Sequence, residues 1–167
     1  GTPERHAARM DELYRQFNQL FDSYEQLATM VIDAGGDVIH EWPAFNKLWD
    51  EDRVTAFIAK HKLQKVFFNG CMIGLKADDN GLPIAKPWMF VTTNPEIVTA
   101  FQEKRCPGKW FHTHTRCMGK GRASATAFYT WEMCDLIDLA AILRTAAQRF
   151  FAMRRRFKLC HPCLHLF

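Results

Sequence analysis

Cys106, His112, His114 and Cys117 follow one another with five, one and two residues between them. Thiolate and imidazole are ligands of zinc, which takes four such groups in a tetrahedron. In an extended segment His112 and His114 project to the same side, because side chains alternate along a strand. Cys71 is a further candidate, taking the place of Cys117 if a sheet brings it near. None of these spacings is the paired Cys-x2-Cys knuckle, so the competing reading is a polar loop whose histidines face solvent or phosphate. Cys160-x2-Cys163-x-His165 is also ligand-like. It lacks a fourth ligand that so short a segment can bring round, and reads as tail sequence outside a domain. Cys134 sits among apolar neighbours and reads as a small core residue.

Glu41 ends a short apolar run that begins at Val38. A carboxylate at the C-terminal end of a buried strand points into the crevice where open α/β sheets bind ligands. Its plainer role is to satisfy an arginine or a helix N-terminus. His40 projects to the opposite face and reads as packing. Cations gather in two stretches. Lys104, Arg105, Lys109, Arg116, Lys120 and Arg122 form the first; Arg144, Arg149, Arg154, Arg155, Arg156 and Lys158 form the second. Such clusters meet phosphates or make a solvated face. Lys86-Pro87-Trp88 sets a cation beside an indole that either stacks on a base or fills the core. The candidate nucleic-acid contacts are therefore Lys86, Trp88, Arg116, Lys120 and Arg122. Cys71 as a nucleophile lacks an identifiable base to make its thiolate.

These groups need elements to position them. Met10, Leu13, Phe17, Leu20, Phe21, Tyr24, Leu27, Ala28 and Val31 recur at steps of three and four, which predicts a long helix stopped by Gly35-Gly36. A strand is expected at 37–41, broken by Pro43. Asp50 is expected to cap a helix over 51–61. Residues 65–69 read as a second strand, and this order of elements is the repeating unit of a parallel sheet. Asp78-Asp79-Asn80-Gly81 is a turn signal leading, through a hairpin-like excursion, to a strand over 88–93 antiparallel to its predecessor. Asn94-Pro95-Glu96 opens a helix: cap, first position and acidic first turn. A short strand is expected at Trp110–His114, and a helix from about Ala123. The fold expected is thus α/β, a Rossmann-like three-layer fragment. Its sheet is mostly parallel, ends in an antiparallel strand pair and is followed by a helical C-terminus. Residues 1–143 make the domain and 144–167 a basic, Cys/His-containing tail.

At 167 residues the chain is long enough for one domain with a real core. Its 48% apolar and 24% charged residues are those of a globular protein. No apolar stretch has the length of a membrane span, and no signal pattern opens the chain. The six scattered cysteines suit reduced thiols in a cytosolic or nuclear protein. The net charge of +4 points only weakly to an acidic partner. The opening Gly1-Thr2-Pro3, entering a helical pattern almost at once, leads to the expectation of a fragment.

From about Gln26 to Thr93 the order of elements resembles the rear half of DNA cytosine-5 methyltransferases. The matching pieces are Val38-Ile39-His40-Glu41-Trp42-Pro43, Val66-Phe67-Phe68-Asn69-Gly70-Cys71-Met72-Ile73-Gly74-Leu75 and Lys86-Pro87-Trp88. With His112-x-His114, these are also similar to divergent methyltransferase-like segments in mobile-element polyproteins of some protists. The resemblance implies a Rossmann-like scaffold, S-adenosylmethionine as cofactor of a full-length parent, and Glu41 as the carboxyl that reads and helps protonate a flipped cytosine. The glycine-rich cofactor motif and the Pro-Cys nucleophile of that family are absent, and Glu-Asn-Val is replaced by Glu41-Trp42-Pro43. The expectation is therefore a methyltransferase-like fragment that is not catalytic alone. The alternatives are a module of a mobile element that binds DNA or RNA, and a zinc-stabilised interaction domain.

Overall fold

The computed structural model describes residues 2–108, 110–117 and 126–159, with 154–159 as backbone alone. Helix α1 spans Pro3–Asp33, starting well before the apolar pattern does. Thr2 caps it by accepting from the Arg5 amide at 3.4 Å, and Pro3 takes the first turn, where a missing N–H costs nothing. It ends where Gly35 takes φ +80°, a conformation that costs glycine little. Strand β1 is Ile39–Pro43. A 3-10 turn, Lys47–Asp50, then precedes α2, Asp52–Lys60. Asp50 belongs to that turn and does not cap α2; Glu51 stands at the cap position without a side-chain bond. Strands β2, Gln64–Asn69, and β3, Pro87–Thr92, follow, then α3, Pro95–Phe101, and α4, Trp131–Leu159. Asn94 caps α3 by accepting from the Glu96 amide at 2.9 Å, as its sequence predicts.

The sheet has the order β1-β3-β2, and β3 runs antiparallel to both neighbours. The mostly parallel sheet expected from the element order is thus corrected. β1 and β2 do run in the same direction, joined across α2, but they do not touch in the ladder. The chain reverses through the 3-10 turn Gly70–Ile73 and the 78–81 turn, and β3 returns into the space between them. The antiparallel pairing of β3 with its predecessor is as expected.

Helices lie on both faces, so the three-layer arrangement holds. On one face Val66, Phe68, Trp88 and Phe90 pack with Ile97 and Phe101 of α3 and Met133 and Ala140 of α4. On the other, Met89 and Val91 pack with Phe21 and Ala28 of α1 and with Trp49, Val54 and Phe57. Trp110–His114 forms a turn and irregular chain, not a strand; only Thr115 makes a bridge, to Ile84. The last helix starts at Trp131, later than expected, because the Thr130 hydroxyl accepts from the Met133 amide at 3.1 Å and caps it. The boundary placed at 143/144 falls inside α4, whose Arg144 donates to Asp37 at 3.0 Å and so fastens the helix to the start of the sheet. No helix of the described residues is long and apolar enough to cross a membrane.

His40 lies on the α1 side, as packing, its ring 4.6 Å from Tyr24 and 4.2 Å from Trp42. Its Nε2 is buried without a hydrogen-bond partner, and burial lowers its pKa from 6.5 to about 4. Above pH 6.5 the imidazole is neutral whether the chain is folded or not. Between 6.5 and about 4 only the unfolded chain takes up the proton. Over that window His40 therefore lowers stability by ~1.4 kcal/mol per pH unit, levelling off below it. Urea titrations of wild type and His40→Phe across this range test it. The variant should lose that part of the slope, and equal slopes would show that the ring is not the group responsible.

Candidate metal centre

Three separate pieces of chain meet beyond the end of β2. The first is the 3-10 turn Gly70–Ile73, which carries Cys71. The second is the stretch after α3, which carries Cys106. The third is the irregular segment with His112 and His114. One ligand atom from each of these four residues lies within 4.8 Å of every other. Cys106 Sγ is 3.4 Å from His114 Nε2 and 3.7 Å from His112 Nε2, and the two Nε2 atoms are 2.7 Å apart. Metal–ligand bonds of ~2.0–2.3 Å make the edges of a zinc tetrahedron about 3.3–3.8 Å. The sulfur–nitrogen distances already match. The nitrogen pair is at hydrogen-bond length and needs to open by roughly half an ångström.

The surrounding bonds hold these pieces in register. Asn69 is the hub: its amide N donates to Lys104 O at 2.9 Å, its Oδ1 accepts from the Cys106 amide at 2.9 Å, and its Nδ2 donates to Ala85 O at 3.2 Å. Gly70 N donates to Lys86 O at 2.8 Å. A Cβ on Gly70 would stand 2.5 Å from Leu75 Cδ2 and 3.1 Å from Ile84 O, so only glycine lets the turn before Cys71 pack this closely. Gly108, at φ +115°, turns the chain back so that its amide donates to Cys106 Sγ at 3.4 Å. Such a bond orients a ligand from its outer shell.

Burial, with the Cys106 sulfur beside it, pushes the Cys71 thiol up to about 12. Two sulfurs packed together resist joint ionisation unless a cation joins them, and a bound metal ion reverses that balance. The four described cysteines, Cys71, Cys106, Cys117 and Cys134, form no disulfide.

Cys117 stands apart from the set. Its Sγ is 3.2 Å from the Thr126 hydroxyl, and it packs against the α3–α4 core. Of the two alternatives open in the sequence, the one with Cys71 is the one brought together. Cys160, Cys163 and His165, with Lys120 and Arg122, lie outside the described residues.

Glu41 occupies the α4 side of β1. Its Oε2 accepts from the Tyr129 hydroxyl at 3.3 Å, while Oε1 is buried with no partner among the described residues. Burial raises its pKa, against the opposing pull of Lys86 and the Tyr129 hydrogen bond. Burial and the Glu41 charge push Tyr129 up to about 12. Lys86 Nζ donates to Thr126 O at 2.7 Å and lies 4.8 Å from the centre of the Trp88 ring. Trp88 itself is 2% exposed, so its ring is core and the cation over it belongs to this chain. Arg116 is exposed.

Sequence reasoning had no signal for Tyr129, which reaches Glu41 from across the fold. Asn69 and Gly108 carried one that is visible only in hindsight: a polar side chain closing an apolar strand, and a Cys-Pro-Gly turn. No protein-family model matches the chain, and neither a curated protein nor a solved structure shows significant similarity to it.

Overpacking of this kind costs ~1–3 kcal/mol. Gly70→Ala should lower stability by about that much in urea unfolding. An unchanged midpoint would show that the turn before Cys71 has room to spare.

Proposed function

We propose that the chain is a zinc-stabilised binding module, with Cys71, Cys106, His112 and His114 as the ligands. One observation carries this reading: two thiols and two imidazoles, from the turn at Cys71 and from the stretch 106–114, converge on one point. Four protein ligands, with no position left for water or substrate, make a structural site and not a hydrolytic one. The described residues of the segment the metal fastens, from Cys106 to His114, form no helix or strand. Zinc therefore supplies cohesion that packing does not.

The test is metal content together with stability. Purified with zinc present, the chain should carry about one equivalent per molecule. Cys71→Ser and Cys106→Ser should lose the metal, and a strong chelator should lower the wild-type melting temperature by many degrees. Cys117→Ser should keep it. A metal-free wild type that melts at the same temperature with and without zinc would sink the reading. Loss of zinc in Cys117→Ser but not in Cys71→Ser would move the site.

The buried, unpartnered Oε1 of Glu41 favours a second reading. In it the chain is part of a Rossmann-like, methyltransferase-like scaffold, with β1, α2 and β2 as its crossover unit and Glu41 placed to accept from the amino group of a cytosine. S-adenosylmethionine would then be the cofactor of a longer parent, and this chain alone would not methylate. Adding cytidine should shift the Glu41 carboxyl carbon resonance in wild type. No shift at saturating nucleoside would remove this reading and leave the zinc proposal untouched.

A further inference from the structure

At the end of the sheet next to the ligand cluster lies a cavity of about 330 Å³ that opens to solvent. Its walls include Phe45, Phe67, Asn69, Trp88 and Arg105. That volume is at the small end of ligand pockets, which run ~300–1,000 Å³. Phe45 is 85% exposed, and no ring of the described residues stacks on it. A phenyl group left in water on the loop that follows β1 contributes nothing to this core. Arg105 lies with its guanidinium carbon 5.3 Å from the centre of the Phe67 ring, within cation–π range. The cavity is thus walled by planar π surfaces and one delocalised positive charge.

We infer that this cavity takes an unpaired base of a single-stranded nucleic acid, stacked against Phe45 beside the Arg105–Phe67 pair, with the Arg105 guanidinium available to a backbone phosphate. The inference rests on the binding-module reading for its biological sense and on the pocket itself for its chemistry. Bases present a π face whatever their identity, and aromatic side chains and arginine are the groups that hold them. The net charge of the chain, +4, has the sign that a phosphate backbone requires.

The pocket also says what it does not read. Its polar lining groups are the side chains of Asn69 and Arg105 and the indole N–H of Trp88. Both ends of the Asn69 amide are engaged, with Ala85 O and the Cys106 amide. That leaves the arginine and the Trp88 indole N–H, both donors only, to meet the edge of a base. Binding should be tolerant of sequence and should discriminate against duplexes, whose bases are already stacked on each other.

The link to the metal is one of position. Arg105 directly precedes Cys106, and Asn69 lines the cavity while holding the Cys106 amide. A fixed Cys106 fixes the backbone of the residue that closes the pocket.

Fluorescence anisotropy with labelled single-stranded DNA and RNA 12-mers, the matching duplex and an abasic 12-mer tests this, using the full chain with its zinc content measured in parallel. Stacking on one aromatic residue is worth ~1–3 kcal/mol, so Phe45→Ala should weaken single-strand binding about tenfold. Arg105→Ala should weaken it similarly and reduce the steepness of the salt dependence by about one unit. Arg105→Lys should keep the salt steepness but not the affinity, since an ammonium cannot stack. Both positions are exposed, so both variants should melt with wild type. Equal affinity for the abasic strand, or Phe45→Ala binding as wild type does, would overturn the inference. So would zinc-loaded protein that fails to bind either single strand, and that outcome would leave the metal reading standing. Single-strand binding by a protein without zinc would do the reverse.

Discussion

From Pro87 to Thr92 the chain has a strand along each edge and a helical layer on each face. A strand in that position cannot alternate apolar and polar residues, because neither face meets water. Trp88, Met89, Phe90 and Val91 are accordingly all buried. Thr92, the one polar side chain, is 0% exposed and has its hydroxyl fully used: it donates to Val38 O at 2.7 Å and accepts from the Asn94 amide at 3.0 Å. That single oxygen joins the entry to β1, the end of β3 and the cap of α3. At the other end of the strand, Lys86 O receives the Gly70 amide, and so sets where the Cys71 turn begins. The ligand cluster and the aromatic cavity both sit where this central strand enters the sheet.

Elements that depend on their own backbone were legible. Asn94-Pro95-Glu96 can do little other than start a helix, and Asp78-Asp79-Asn80-Gly81 turns because Gly81 takes φ +66° without strain. The long apolar stripe of α1 was equally plain. Strand order was not legible, and the reason is physical. A continuous apolar run suits a central strand of either direction, since both are covered on both faces. The sequence around 78–81 told that the chain comes back; it held nothing to say that β3 would come back between β1 and β2 instead of outside them. The start of α4 was misplaced for a different reason: apolar periodicity continues through Phe128, but the Thr130 hydroxyl decides the first turn.

The site divides in the same way. His112 and His114, two apart, announce themselves as a pair that points together. Cys106 is near enough in sequence to belong with them. The choice between Cys71 and Cys117 is tertiary, since it turns on the Gly70 contact with Lys86 O, on the Asn69 contacts that hold Cys106, and on Cys117 being drawn to Thr126 and the α3–α4 core. Phe45 and Arg105 are far apart in sequence, and line one cavity because β1 and β2 both end on the same side of the sheet, parallel to each other across β3.

The stretch from Cys106 to Thr115 shows why a metal belongs in this account. Its described residues form no helix or strand, and Trp110, at 80% exposure, does not anchor it. Holding about ten residues in one backbone conformation costs on the order of 10–20 kcal/mol. Among the described residues the chain itself offers the Asn69 bond at one end, the Gly108 amide bonded to Cys106 Sγ and the Phe111 amide to Gly108 O within it, and Thr115 held by Pro83 O and the bridge to Ile84 at the other. A structural zinc contributes ~10–16 kcal/mol when its ligands form on folding, which is the same size as the ordering cost. Domains of this size are stable by only ~5–15 kcal/mol in total. An interaction of that magnitude decides whether the segment is ordered, and with it whether Arg105 stays against Phe67 at the mouth of the cavity. On the zinc reading proposed above, the metal set and the aromatic pocket are two parts of one arrangement, in which the first would hold the loop that the second uses.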